Sequence, residues 1–366
     1  MAYNKEIPYN DLPPLPPKEE IENIDILRKA ADARAALGEL KGRCVVIPNP
    51  LILFNTLVLQ EAQASSAIEN IITTTDKLYQ AFAVSNKSLV DPQTKEVLRY
   101  REATNEGFNR IQDGEKLTTL LFINIVQKIK DIPEGIRNYD KSTRRTVIQN
   151  TRTAETIYTP PEGLKIIQSK LDNLSSFLNN KSDGTDPLIK MAVSHYQFEA
   201  IHPFSDGNGR TGRIMNGLFL VDRKLLDLPV LYLSKYIIDN KNEYYRLLRN
   251  VTENKDWRPW ILFNLEAVLI TSGLTLKKIM EIEQLLSKTI QTVRTKFPKI
   301  YTKELVEQLF FHPYCKNSFL IENKIAARNA AGRYLNQLAD EGILEKRVVG
   351  NENLYLNKEL FQILSN

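Results

Sequence analysis

Residues 187–220 constrain the fold most. "PLIKMAVSHYQFEAI" (187–201) carries Ile189, Val193, Tyr196 and Ala200 at helical spacing. A second apolar helical run, Ile214 to Leu220, follows soon after. Between them lies "HPFSDGNGR" (202–210). Pro203 cannot continue the helix that ends at His202. Gly207 and Gly209 accept positive φ, so the chain can bend tightly there. The sequence therefore predicts a mainly α protein with a tight turn between two apolar helices.

That turn holds more chemistry than a turn needs. Successive backbone N–H groups at 207–210, opening the next helix, would point into one concavity, which suits phosphate oxygens. Asn208 can add an amide donor, and Arg210 and Arg213 add guanidinium groups that match phosphate in a forked geometry. Asp206 would repel phosphate alone but bind it through Mg2+. His202 is the nearby group suited to taking a proton at neutral pH. Together these parts describe phosphoryl or nucleotidyl transfer. Taken singly, an His-Pro pair is a helix end and a Gly-Asn-Gly is a turn. "GNGRTG" (207–212) also fits the dinucleotide-binding glycine pattern, with Asp227 suitably downstream. The segment before it is helix-periodic rather than a strand, so the βαβ context is missing. No Lys-Ser/Thr follows the glycines, which excludes a Walker loop.

The remaining chain is read in three parts. Residues 1–18 are Pro-rich and expected as an extended surface arm. Helices are expected from Lys18 to Leu40, stopped by Gly42, and from Leu51 to Gln63. A periodic run through Ile68, Ile71, Ile72, Leu78 and Tyr79 follows, with further helices at 95–111, 118–130 and 163–179 and more as far as Leu274. "TVIQN" (146–150) and "TIYTPP" (156–161) are β-prone and predict a hairpin closed by Pro160 and Pro161. From about 299 the pattern becomes two helices, "YTKELVEQLFF" and one over 325–340, then two short strands around Gly350–Asn351. That order resembles a winged helix. The expected units are 1–110, 111–284 and 285–366, with a boundary near 285–298. The 366 residues carry 49 Lys and Arg against 44 Asp and Glu, a net +5 that does not by itself imply nucleic acid. Cys44 and Cys315 lie outside any metal spacing and predict free thiols in a reducing compartment. No 18-residue apolar run suggests a membrane span, and the N-terminus lacks a signal-peptide centre, so the expectation is cytoplasmic without a membrane partner.

The extended motif HPFSDGNGRTGR resembles the Fic family motif HxFx(D/E)GNGRxxR at every defined position. The resemblance covers roughly 110–260. It implies a Fic-fold helical core with a small β-hairpin flap, and transfer of AMP from ATP to a protein hydroxyl. His202 is then the base and Phe204 a core anchor of the loop. Asp206 holds Mg2+. Gly207, Asn208, Gly209 and Arg210 hold the α- and β-phosphates, and Arg213 reaches the γ-phosphate. Thr211 and Gly212 complete the nucleotide-binding stretch. The flap, with Tyr158 and Thr159, would pair with a target protein as an added strand. Tyr245, on "NEYYRLLRNV", is a candidate neighbour of the adenine, with core packing the plain alternative.

"SSAIEN" (65–70) has two readings. Ser66 and Glu69 fit a capping box that starts the next helix. Ser65, Glu69 and Asn70 also resemble the Fic inhibitory motif (S/T)xxxE(G/N), within an inhibitory helix around 60–75. Glu69 would pair with Arg213 in a bidentate fork and so deny the arginine to a γ-phosphate. The switch is favoured because it accompanies a complete active-site motif. His195 is expected as a core or supporting residue, and His312 has no assigned role. The leading function is an autoinhibited protein adenylyltransferase. The alternatives are a winged-helix DNA-binding regulator with a secondary Fic core, transfer of another group, or removal of AMP. ATP, a target protein docking on the flap and a second copy of the chain are the expected partners. DNA has a thin basic footprint in Arg328, Arg333, Lys346 and Arg347, offset by Asp340 and Glu341.

Overall fold

The computed structural model describes residues 3–85, 88, 90–133, 135–138, 146–149 and 153–365. Helices dominate. After an N-terminal arm come α1 (Ile24–Cys44), α2 (Pro50–Ile68), α3 (Thr75–Ala83), α4 (Pro92–Gln112) and α5 (Thr119–Lys130). A two-stranded hairpin follows, β1 (Ile148–Gln149) and β2 (Thr156–Tyr158), paired antiparallel with Ile148 opposite Tyr158. The strands are shorter than expected, the two prolines lie beyond β2, and part of the expected turn (150–152) falls outside the described residues.

The next helices are α6 (Leu164–Asn179), α7 (Pro187–Ile201), α8 (Asn208–Asp222), α9 (Leu233–Asp239), α10 (Lys241–Asn254) and α11 (Trp257–Lys296). Helix α7 is buried along almost its whole length, and α6, α8 and α11 pack round it. Asp186 caps its start, accepting from the N–H groups of Leu188 and Ile189, with Pro187 where a missing donor costs nothing. The Trp260 indole donates to the Ala192 carbonyl and ties α11 to α7. Helix α1 lies along α11. It runs past Gly42 to Cys44, because its apolar face, with Leu37, Leu40 and Cys44 buried, outweighs the low helix propensity of Gly38 and Gly42. One 18-residue window of α11 is apolar enough to cross a membrane by composition, but over half of that window is buried in the core. The arm is no loose surface tail, since Leu12 and Leu15 are buried against the helices.

Helix α11 runs unbroken across the boundary expected near 285–298. Beyond it lie α12 (Lys303–Phe311), β3 (Tyr314–Cys315), α13 (Asn317–Glu322), α14 (Arg328–Asp340), β4 (Glu345–Val349), β5 (Glu352–Leu356) and α15 (Lys358–Ser365). The sheet order is β3-β5-β4, antiparallel throughout. The expected two helices and hairpin are there, with α13, β3 and α15 added. This unit grips the N-terminal helices. The Tyr314 hydroxyl donates to Asp76 at 2.7 Å, Arg347 donates to Tyr314 at 2.7 Å, and Gln60 donates to the Leu364 carbonyl. Both α2 and α3 are therefore braced on either side of the turn that holds Glu69.

Candidate active site

His202 sits at a strained corner. His202 follows the last residue of α7 with φ +49°, a left-handed conformation that costs a non-glycine residue of order 1–3 kcal/mol. Arg137 holds it there. The Arg137 guanidinium donates to the His202 carbonyl at 2.7 Å, and its backbone N–H donates to the Pro203 carbonyl at 2.9 Å. Burial, and then Arg137, push the His202 imidazole down from 6.5 to about 4, so the ring is neutral at physiological pH. Nothing in the sequence marked Arg137, which comes from a loop far from the motif.

The loop closes through its own side chains. Phe204 is fully buried against Phe198, as expected of an anchor. The Asn208 amide accepts from the Phe204 N–H at 2.8 Å and donates to the Phe204 carbonyl at 2.9 Å. The amide oxygen and one of the two amide N–H donors are thus engaged in shaping the loop, which leaves the second N–H for the expected contact. Gly207, at φ +81°, is the residue before α8 and supplies the left-handed turn. Gly209 does not; it is helical, and its missing side chain serves a different need. A Cβ there would stand 2.2 Å from Glu69 Oε1 and 2.9 Å from Arg213 Nη1. Thr211 is wholly buried, and a Cβ on Gly212 would meet Glu199 Oε1 at 2.8 Å and Phe198 Cδ1 at 3.1 Å. Gly212 therefore lets α8 pack closely against α7. His195, between them, accepts or donates at 2.8 Å with the Tyr244 hydroxyl and stacks on Trp260, as a core residue does.

Glu69 reaches the site from α2. The S-x-x-E run does not start a helix, because Ser65 and Ser66 lie inside α2 and the next helix starts at Thr75 with Thr74 as its cap. Nor does α2 extend to 75. It ends at Ile68 in a Schellman motif: the Ile71 N–H donates to the Ser66 carbonyl and the Asn70 N–H to the Ala67 carbonyl, both at 3.0 Å. Asn70 takes φ +63°, which explains why glycine or asparagine suits that position. Lys241 donates to the Ile68 carbonyl and steadies the same helix end. Glu69 is thereby aimed at Arg213. The arginine is 1 % exposed and donates to Glu69 Oε1 at 2.7 Å, to the Ser65 hydroxyl at 2.7 Å and to the Ser65 carbonyl at 2.9 Å. The expected bidentate fork is instead shared between the glutamate and the serine.

At the other side of α8's first turn is a second charge cluster. Arg210 is buried and donates to Glu96 Oε1 at 2.6 Å. Lys130 lies 3.3 Å from the same oxygen and also bonds Asp206 Oδ2. Burial pushes the Asp206 carboxyl up, but Lys130 and Arg210 outweigh it and hold the group below its usual range. Glu96 comes from α4 and Lys130 ends α5, so no local pattern pointed to either. Tyr245 is 41 % exposed on α10, edge-on to Tyr244; after burial, the Glu69 charge is the main influence raising its phenol pKa.

Tyr158 and Thr159 are not free to receive a target. The Tyr158 hydroxyl donates to the Ala200 carbonyl at 2.7 Å and its ring lies against Tyr3 and Tyr9. The Thr159 hydroxyl donates to the Lys5 carbonyl at 2.6 Å, and its carbonyl accepts the Tyr9 N–H at 3.0 Å. The chain's own arm covers both residues, so any docking on them requires the arm to leave.

The molecule is thus a helical core in which a glycine-opened helix N-terminus, a neutral imidazole and a carboxylate-paired arginine come together. Residues 27–109 match the family model described as Fic/DOC family N-terminal, and 116–220 match the Fic/DOC family model. Residues 285–360 match the model of the C-terminal domain of SoFic-like protein adenylyltransferase. The chain belongs to the Fic/DOC family. It is 29 % identical over 161 residues to protein adenylyltransferase and cysteine protease IbpA of Histophilus somni (strain 2336), covering 43 % of this chain and 4 % of that protein. It is 31 % identical over 104 residues to protein adenylyltransferase fic-1 of Caenorhabditis elegans, covering 28 % and 19 %. With protein adenylyltransferase Fic of Drosophila grimshawi it shares 25 % identity over 227 residues, 59 % of this chain and 45 % of that protein. The chain thus spans less than half the length of these curated relatives. A Fic family protein from Desulfovibrio desulfuricans G20 shares the fold with TM-score 0.53 at 20 % identity, over 92 % of this chain and 96 % of that one.

Proposed function

We propose that this chain transfers AMP from ATP to a hydroxyl group of a protein, and that Glu69 restrains the reaction. The observation that carries the reading is the Glu69–Arg213 pair at the mouth of a cradle whose rim holds a neutral His202. The first turn of α8 offers backbone N–H groups and a positive dipole end to the phosphates. Asp206 fits the part of a Mg2+ ligand. Its side chain is 60 % exposed, and no group of three His, Cys, Asp or Glu gathers among the described residues. Such a site suits an ion that arrives held by triphosphate oxygens and water and needs one carboxylate. When bound, the ion would offset phosphate charge.

The target hydroxyl oxygen attacks the α-phosphorus, the bond from that phosphorus to the bridging oxygen breaks, and pyrophosphate leaves. The hydroxyl proton passes to the ring of His202, which must be neutral beforehand. Arg213, once free, holds the γ-phosphate so that the leaving group lies in line. While Glu69 occupies Arg213, the triphosphate lacks that anchor and lies unproductively. Transfer of AMP, Mg2+ dependence and the winged-helix reading of 303–365 belong to this proposal together. Arg347 supports a bracing role for that unit over a DNA-binding one, because it is engaged with Asp76, Tyr314 and Glu345. The test is intact mass after incubation with MgATP. The Glu69→Gly protein should gain the mass of AMP on itself or on added lysate proteins, and Glu69→Gly combined with His202→Ala should not. A Glu69→Gly protein that never acquires AMP, or acquires it without His202, contradicts the reading.

A further inference from the structure

Asp206 is already occupied by this chain. Its Oδ1 accepts the Gly207 N–H and lies 3.8 Å from Arg210 Nη2; its Oδ2 is bonded by Lys130. Glu96 closes the set, with one oxygen 2.6 Å from Arg210 Nη1 and 3.3 Å from Lys130 Nζ. Two acids and two bases thus form a ring around the start of α8, with Asp206 and Arg210 contributed by the motif and Glu96 and Lys130 by α4 and α5. A divalent cation approaching Asp206 must take an oxygen from one of these donors. The Gly207 N–H is fixed by the left-handed turn, and Arg210 is buried and anchored on Glu96. Lys130 is the exchangeable member. It ends a helix, its side chain is 21 % exposed, and Glu96 remains as its partner if it lets Asp206 go.

Resting on the nucleotidyl-transfer reading above, we propose that Lys130 is a positioning residue that covers the metal-binding oxygen of Asp206 in the resting chain, competes with the divalent ion for it, and withdraws onto Glu96 when the ion arrives. Glu69 covers the cationic end of the cradle. Lys130 covers the anionic end. The incoming metal–triphosphate complex therefore meets both of its partners already paired, each with its opposite charge.

The exchange is inexpensive. Lys130 and Asp206 face solvent on one side, where an ion pair of this kind contributes little and is screened by salt. Removing the lysine charge should therefore tighten metal binding modestly, while removing the carboxylate should abolish it. Mn2+ binding is read by electron paramagnetic resonance on the full chain saturated with a non-hydrolysable ATP analogue. Lys130→Met keeps the stem that packs near Gly207 and removes the charge. Its Mn2+ affinity should rise roughly two- to fivefold over wild type. Lys130→Arg keeps a cation and should stay near wild type. Asp206→Asn should lose the protein-dependent part of the signal in either background. Unchanged or weaker Mn2+ binding in Lys130→Met, with Asp206→Asn still deleterious, overturns the competition and leaves the active-site reading intact. If Asp206→Asn leaves Mn2+ binding untouched, the metal assignment falls and the role of Lys130 falls with it.

Discussion

The two ends of the cradle are closed by different means. At one end Arg213 is almost entirely buried and held by three acceptors from one turn of α2, whose end is fixed by a Schellman motif and Lys241. At the other end Asp206 is mostly exposed and held by a lysine at the tip of α5. A charge-assisted contact to a buried arginine is worth about 1.5–3 kcal/mol, whereas a solvent-facing pair is worth less than about 1 kcal/mol. Under the proposed function the glutamate end would act as a lock and the lysine end as a light cover. The lock also depends on an absent atom, because any side chain at position 209 would collide with the Glu69 carboxylate.

The largest effect should come from between the two ends. His202→Ala should slow transfer by about 10²–10⁴-fold, the usual cost of losing a general base, with nucleotide affinity little changed. If calorimetry showed ATP affinity falling as steeply as the rate, His202 would belong to the binding cradle and the division into two ends would blur. Next, Glu69→Gly should raise self-adenylylation about 10- to 100-fold, the ratio that 1.5–3 kcal/mol supplies. Arg213→Ala should abolish that gain, and the double variant should resemble Arg213→Ala, since the two groups act as one unit. A double variant as active as Glu69→Gly alone would break the lock.

A smaller effect concerns the packing beneath the cradle. Gly212→Ala would push a methyl group against Glu199 and Phe198 and should cost about 1–3 kcal/mol in urea unfolding. Wild-type stability in that variant would show that α7 and α8 are less tightly joined than their contacts imply. The mildest effect is in pH. Because the folded-state pKa of His202 is depressed, its neutral form is retained as pH falls from 6.5 toward 4, and the associated stability is present above 6.5 and lost toward 4. The Glu69→Gly rate should therefore hold between pH 7.5 and 6, and a half-drop near 6.5 would place the imidazole in open water.

What could be read from the sequence was what lies consecutively in it. His202, Phe204, Asp206 and the glycine-opened helix are neighbours in the chain, and the helix break at Pro203 fixes their order. Ser65 and Glu69 were legible through a pattern, although the same letters spelled a capping box that α2 swallows. Side-chain direction was not legible. Asn208 turns onto Phe204, Gly212 faces α7, and Gly209 yields space to a glutamate from the end of another helix, all of which depend on tertiary packing. Glu96, Lys130 and Arg137 come from α4, α5 and a loop, where nothing local marks them. The burial of Tyr158 and Thr159 depends on an arm more than a hundred residues away in sequence.

If Glu69 restrains transfer by withholding Arg213 from the γ-phosphate, the ratio of ATP to ADP affinity reads the effect directly. Calorimetry on wild type, Glu69→Gly and Arg213→Ala should give little preference for ATP in wild type, a clear preference in Glu69→Gly, and none in Arg213→Ala. The same ratio in all three proteins would show that Glu69 does not act through Arg213.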